Sequence, residues 1–308
     1  MSKNTANIEQ HGELKPAKPA PITVKKDKII DLEFEITRSS CVAIFEKNKD
    51  NNYTKPCEDY HIADNENQIF ILMDGATRYA TSKDNYPTPS PAAIAAQIAS
   101  DTSHRLIQEF TYSDLRPSDL LLAAAMEANE AVAEYNSQTF AEIDYLENDY
   151  ANACGILSFI KGKKFHFAYV GDPQGYLIRD GKIILFTENQ VERIDALYEI
   201  YSQDASKNLV DFRIHVCKNV RNNPLNEHPF GSFTGDVRAL ELLEFGSFDI
   251  QKGDRIILTS DGLLPLFSAN KELFYQTNYQ LLIEQMEKLE IEKAIRSDDK
   301  TLIAIDIL

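Results

Sequence analysis

Ile69-Phe70-Ile71-Leu72-Met73-Asp74-Gly75 and Ile256-Ile257-Leu258-Thr259-Ser260-Asp261-Gly262 share one form, an apolar run that stops on Asp-Gly. A run of this length bounded by a turn signal reads as a buried strand. A carboxylate at the end of such a strand has rigid backbone beneath it and water in front of it. Two of them point to a hard-metal site, because Mg²⁺ and Mn²⁺ prefer oxygen ligands held in fixed geometry. A third acidic cluster, Asp298-Asp299, precedes the last apolar run, Leu302-Ile303-Ala304-Ile305. A fourth, Glu58-Asp59, lies upstream of the first string.

Outward from these strings the chain alternates strands and helices in blocks. Ile36 to Phe45 reads as a strand, Asn48 to Thr54 as a polar turn, and residues 76–90 as a loop with Pro87 and Pro89. Ser90-Pro91 is a helix start, a capping hydroxyl followed by proline at the first helical position. Ile94, Ile98, Leu106 and Phe110 then mark one helical face. A break at Asp114 to Ser118 separates it from a second helix, about Asp119 to Gln138, with Leu122, Met126 and Val132 on one stripe. Two long Ala-rich helices in succession suggest an antiparallel pair packed on a sheet. From Cys154 to Phe186 short strands joined by Gly turns predict an antiparallel meander, with Asp180-Gly181 a hairpin turn of no chemical role. A helix near Val191–Tyr201, a polar stretch at Asn219–His228, a helix over Leu281–Leu289 and a closing strand at Thr301–Ile307 complete the reading. This order is α+β rather than alternating βαβ.

The 308 residues, 43% of them hydrophobic, suffice for a sizeable core. Residues 1–28 differ: they hold Pro16, Pro19, Pro21 and six lysines against Glu9, Glu13 and Asp27, and almost no large apolar side chains. That composition predicts a disordered tail ahead of one domain over 29–308, with an irregular insert or flap at about 191–235. The chain carries a net charge of −16, and its tail is basic, so the body is more acidic still. Such a body is a poor match for a phosphate backbone, which argues against a nucleic-acid partner. The longest hydrophobic stretch, Leu120 to Met126, falls far short of the roughly 20 residues a membrane span needs. Cys41, Cys57, Cys154 and Cys217 are irregularly spaced, so neither a zinc site nor a disulfide framework is indicated. No apolar leader is evident, and a soluble, monomeric, cytoplasmic protein with reduced thiols is the expectation.

The ordered series Glu58-Asp59, Asp74-Gly75, Gly171-Asp172, Thr259-Ser260-Asp261-Gly262 and Asp298-Asp299-Lys300-Thr301 resembles the metal-dependent protein serine/threonine phosphatases of the PP2C type. Val170-Gly171-Asp172 and Tyr176-Leu177-Ile178-Arg179-Asp180-Gly181 are similar to that family's central meander. The resemblance covers roughly residues 36–308. It implies a four-layer α-β-β-α sandwich of two antiparallel sheets flanked by helix pairs. It also implies a centre of two, or three, Mg²⁺ or Mn²⁺ ions at one edge. Asp74 would bridge two ions, the Gly75 carbonyl would bind one, and Asp261 and Asp298 would complete the other's shell. Glu58 and Asp59 would act largely through bound water, and Asp172 would help hold a third, weaker ion. Two such ions about 3.5–4 Å apart activate water and clamp phosphoryl oxygens, which suits hydrolysis of phosphoserine and phosphothreonine in a protein substrate.

The chain departs from the family pattern at several positions. Thr54, with Lys55 beside it, stands where many members have a phosphate-holding arginine, and Ala76-Thr77-Arg78 follows Asp74-Gly75 in place of His or Met and small residues. Lys55 and Arg78 are the candidates for substrate phosphate. Pro173 replaces the usual Ser, and Glu188-Asn189 the usual Asp-His. These changes leave an alternative, an inactive pseudophosphatase acting as a binding or regulatory module. An aspartyl-nucleophile phosphohydrolase is disfavoured, because that class needs Asp-x-Asp and Asp74 is followed by Gly75-Ala76. Each carboxylate taken alone has a plainer reading, as a solvated pair or a turn residue bonding its own backbone. His61 is read as a structural strand residue, and His104, His166, His215 and His228 as core or surface residues.

Overall fold

The computed structural model describes residues 34–41, 44–47, 51–54, 57–76, 89–143, 149–204, 208–293 and 298–308. The predicted tail, nearly all of the 76–90 loop, Lys55 and Arg78 lie outside them.

The unbroken apolar runs have a structural cause: their strands are covered on both faces. In β5 (Ile69–Gly75), Ile69, Ile71 and Met73 face a helical layer while Phe70 and Leu72 face a second sheet. In β11 (Arg255–Thr259), Ile256 and Leu258 join that inter-sheet core, and Ile257 turns to a different pair of helices. In β12 (Lys300–Ile307), Ile303, Ile305 and Ile307 point inward, and Leu302 and Ala304 outward. Period-2 side-chain direction therefore sorts each run into two separate cores. Each fully buried side chain of this size is worth about 1.5–3 kcal/mol, so the runs are a main source of cohesion.

The remaining strands are β1 (Phe34–Cys41), β2 (Ile44–Lys47), β3 (Asn51–Thr54), β4 (Tyr60–Asp64), β6 (Ala153–Lys161), β7 (Lys164–Val170), β8 (Gln174–Arg179), β9 (Lys182–Leu185) and β10 (Glu244–Asp249). One sheet runs β1-β12-β11-β8-β9 and the other β10-β7-β6-β5-β4, with every neighbouring pair antiparallel. Helices α1 (Pro91–Phe110) and α2 (Pro117–Thr139) cover the second sheet. Helices α5 (Leu264–Ala269) and α6 (Tyr279–Lys293) cover the first. The result is the expected α-β-β-α sandwich.

Three sequence expectations are corrected. Asn51–Thr54 is a strand paired with Ile44–Lys47 rather than part of a turn. The stretch from Cys154 to Phe186 is two hairpins in different sheets: β6-β7 in one and β8-β9 in the other. Gly171-Asp172-Pro173 carries the chain across, and tight hairpins look the same locally whichever sheet they join. The buried face of α1 holds Ala92, Ala95, Ala96 and Ala99 beside Leu106 and Ile107, and in α2 Val132 is buried as expected whereas Leu122 and Met126 are exposed. The alanines let helix and sheet approach closely, and Leu106, Ile107 and Val132 fill the rest of the same core.

The segment from 191 onward is more regular than expected. It holds α3 (Glu192–Gln203), α4 (Leu209–His215) and a π-helical turn at Val216–Val220, around a small core of Ile194, Phe212 and Val220. The insert or flap expected at about 191–235 carries this small core between Gln190 and Gly231.

Candidate metal centre

Antiparallel order puts the acidic motifs at one end of the sandwich. Asp59 immediately precedes β4, and Asp74-Gly75 ends β5, whose Met73 pairs with Tyr60. Asp74 sits opposite Cys154 at the start of β6, and β7 ends at Val170, opposite Gly155, just before Gly171-Asp172. In the other sheet, β11 ends at Thr259 opposite Leu302, and Ser260 N–H donates to the Thr301 carbonyl at 3.0 Å, so Asp261 and Asp298 leave the same edge. Carboxylates far apart in sequence meet because strands enter and leave this edge in alternation.

The electrostatics report that meeting. The carboxyl of Asp74 is pushed well above the ordinary range, first by burial and then by Asp59, Asp261, Asp172 and Asp298. Asp261 is raised likewise, by burial, then Asp298, Asp172, Asp59 and Asp195. Burial, followed by Asp299, lifts Asp59 to about 7, against the opposing pull of the Thr301 and Ser260 hydroxyls. Asp172 also reaches about 7, through burial and then Asp195. Like charges that cannot be hydrated favour the protonated form, and a bound cation reverses that preference.

The expected ligands Asp59, Asp74, Asp172, Asp261 and Asp298 are thus brought together. Glu58 is fully buried, and its Oε1 accepts from the Ser90 hydroxyl, the group that also caps α1 by accepting from Ala92 N–H at 3.1 Å. The Glu58 side chain therefore engages the helix cap. Gly75 is needed for close approach: a Cβ there would fall on the Glu58 carbonyl oxygen and 2.7 Å from that of Ala92. At Gly262 a Cβ would strike the Asp299 carbonyl.

Among the described residues no three His, Cys, Asp or Glu side chains close into a cation-binding group. The donor chemistry nevertheless suits a hard divalent cation. Every donor is a carboxylate or carbonyl oxygen, and Asp59 Oδ2 is buried with no hydrogen-bond partner.

Two residues of the site were given no role from sequence: Asp299, noted only as part of an acidic pair, and Asp195, not noted at all. Asp299 accepts from Glu58 N–H through Oδ2 at 2.8 Å and so ties the start of β4 to the start of β12. Asp195, on α3, is the first charged neighbour of Asp172 and reaches the site only because the flap folds over it. The Asp-Asp pair was a visible signal for Asp299, whereas nothing local marks Asp195. His104 bonds Asp64 at 2.8 Å, and His166 packs on the Phe159 ring. A cavity of about 260 Å³ separates flap and site, bordered by Ala76 and Asp172 on one side and by Ile194, Tyr198 and Phe212 on the other. No described helix is long and apolar enough to cross a membrane.

No family model matches the sequence. No curated protein matches it either. Solved structures do match in fold. PppA, a key regulatory component of the T6SS in Pseudomonas aeruginosa, gives a TM-score of 0.57 at 15% identity, over 89% of this chain and 98% of that one. The catalytic domain of the serine/threonine protein phosphatase PstP, in complex with two manganese ions, gives 0.51 at 16%, over 90% and 100%. The PPM Ser-Thr phosphatase MsPP of Mycobacterium smegmatis, in complex with cacodylate, gives 0.52 at 17%, over 88% and 98%. The chain has the fold of PP2C-type serine/threonine phosphatases.

Proposed function

We propose that this protein is a Mg²⁺- or Mn²⁺-dependent phosphatase acting on phosphoserine and phosphothreonine in proteins. The observation that carries the reading is the convergence of Asp59, Asp74, Asp172, Asp261 and Asp298 at one edge of a sandwich shared with such phosphatases. Asp74, Asp261, Asp298 and the Gly75 carbonyl would hold the cations, with Asp59 and Glu58 supporting them and Asp172 serving a weaker ion. When bound, a divalent pair supplies Lewis-acid activation of water and neutralises the phosphoryl oxygens. The chain's own contribution is placement. The strand ends fix the carboxylates, Asp299 and Ser90 hold the Glu58-Asp59 corner, and the raised pKa values mark negative charge that a dication relieves. Lys55 and Arg78 are the basic candidates for the substrate phosphate. Lysine offers a point charge there, without the bidentate fork of arginine.

Hydrolysis of a generic phosphate ester and of a phosphothreonine peptide, with Mn²⁺, with Mg²⁺ and with chelator, tests the reading. Turnover that needs the cation and falls at least ~100-fold in Asp74→Asn and Asp261→Asn is expected, the scale of losing a preorganised electrostatic group. Full activity in both variants would sink it. Cation binding by calorimetry with no turnover in the unaltered chain would favour the pseudophosphatase instead, a reading motivated by Thr54 at the position of the usual arginine.

A further inference from the structure

Gln190 is the last residue before the flap, and Gly231 follows it. The Gln190 carboxamide is bonded at both ends. Its Oε1 accepts from Gly171 N–H at 2.8 Å and from Gly231 N–H at 3.2 Å. Its Nε2 donates to the Leu242 carbonyl at 2.9 Å and, more weakly, to Glu244 Oε1 at 3.5 Å. The backbone closes the ring, because Gln190 N–H donates to the Gly171 carbonyl at 3.0 Å. One side chain therefore touches the start of the flap, its end and the turn that presents Asp172.

That turn has little freedom of its own. Gly171 adopts φ +87°, and a Cβ there would strike Cys154 Sγ, opposite Asp74 in the strand register. The flap is tied down a second time at its far root. Asn222 bonds Ser232 through both its carboxamide groups, and Arg221 pairs with buried Asp149 at 2.8 Å. The flap's own core is small, so its position over the site depends on these roots rather than on its interior.

We propose that Gln190 is a positioning residue whose carboxamide clamps both ends of the flap to the Gly171-Asp172 turn, so that flap and Asp172 carboxylate are held as one unit. The role needs an acceptor for two N–H groups and a donor for a carbonyl on the same short plane, which a carboxamide supplies and a carboxylate does not. Asp195 rides on α3, immediately beyond the clamp, and faces Asp172, so the flap's setting also determines how much negative charge surrounds that group. The effect on cation binding rests on the function proposed above, while the clamp itself does not.

Two variants and two readouts separate these levels. Gln190→Met keeps side-chain length and removes every side-chain hydrogen bond, leaving the backbone bond to Gly171; Gln190→Glu keeps the acceptor and places a second carboxylate oxygen against the Leu242 carbonyl and Glu244. Amide hydrogen exchange of the full chain is measured without cation. Exchange should accelerate about tenfold at Gly171 in Gln190→Met and across the described residues of 191–230 in both variants, with Ile69–Met73 unchanged. Unchanged exchange at Gly171 and the flap, or equal acceleration in the β5 core, would overturn the clamp. Calorimetric Mn²⁺ titration is the second readout. The weakest binding step should weaken about fivefold or more while the tight steps stay put, a split that general destabilisation does not produce. Parallel weakening of all steps would overturn the link to Asp172. A chain that binds no cation, yet shows the exchange response, would sink the proposed function and leave the clamp standing.

Discussion

Asp299 accepts a buried hydrogen bond from the N–H of Glu58, just ahead of β4, and places its charge beside Asp59. These two roles separate by substitution. Asp299→Ala leaves the Glu58 N–H buried without an acceptor, which should cost about 1–3 kcal/mol and lower Tm by several degrees in a thermal melt. Asp299→Asn keeps an acceptor and removes the charge. The stability loss should then be smaller, and the Asp59 carboxyl, lifted to about 7 by burial first and Asp299 second, should titrate lower when followed by NMR. An unmoved Asp59 would show that Asp299 does not act on it electrostatically. Asp74, Asp261 and Asp298 could be selected from sequence because each stands where an apolar run stops or starts. Gln190 and Asp195 could not, since their roles lie in contacts made across the fold.

The elements meet at this edge through glycines and small residues. Gly75 lies where β5 passes the Glu58 backbone and the first turn of α1, so Gly75→Ala must push three elements apart. Overpacking of this kind typically costs about 1–3 kcal/mol. Gly253→Ala is the control: its added Cβ would meet nothing, although its φ of +90° makes it a strain test without a clash. The expected order in chemical denaturation is a larger loss for Gly75→Ala than for Gly253→Ala, and the reverse order would mean that β4 and α1 yield easily. The elements themselves were largely legible. Ser90-Pro91 announces α1, and the Asp180-Gly181 turn adopts positive φ at both residues, as a tight hairpin requires. The helix faces were read in part: Leu106 and Val132 are buried as expected, but Leu122 and Met126 are exposed, and alanines carry much of the contact because they allow close approach.

At the scale of the molecule, the acidic edge makes stability depend on pH and on cations. Asp59 and Asp172 titrate at about 7 in the folded chain, against 3.8 for an unperturbed aspartate. Between those values the folded state holds protons that the unfolded chain has released. Stability from these groups is therefore present at low pH and is lost as pH rises from about 4 to about 7. In chelator, the fall in Tm across this window should be shallower in Asp59→Asn and in Asp172→Asn than in the unaltered chain. Mn²⁺ should raise Tm at pH 7.5 well beyond an equal ionic strength of Na⁺, because a ligand that binds only the folded state stabilises it by mass action. Identical slopes in all three chains would show that these two carboxyls do not titrate in the window.

Sequence alone determined the buried apolar strands, the two long helices, the α+β class and the acidic positions, because apolar periodicity, caps and turn residues act over a few neighbouring positions; the strands Asn51–Thr54, Tyr60–Asp64 and Glu244–Asp249 were not read from it. Only tertiary structure decided that the Cys154–Phe186 hairpins belong to different sheets, that Ala92, Ala95, Ala96 and Ala99 are buried while Leu122 and Met126 are exposed, and that a flap delivers Asp195 to Asp172. Those outcomes depend on which distant surfaces find one another, and side-chain patterns of period 2 or 3.6 record which face is buried but not what buries it.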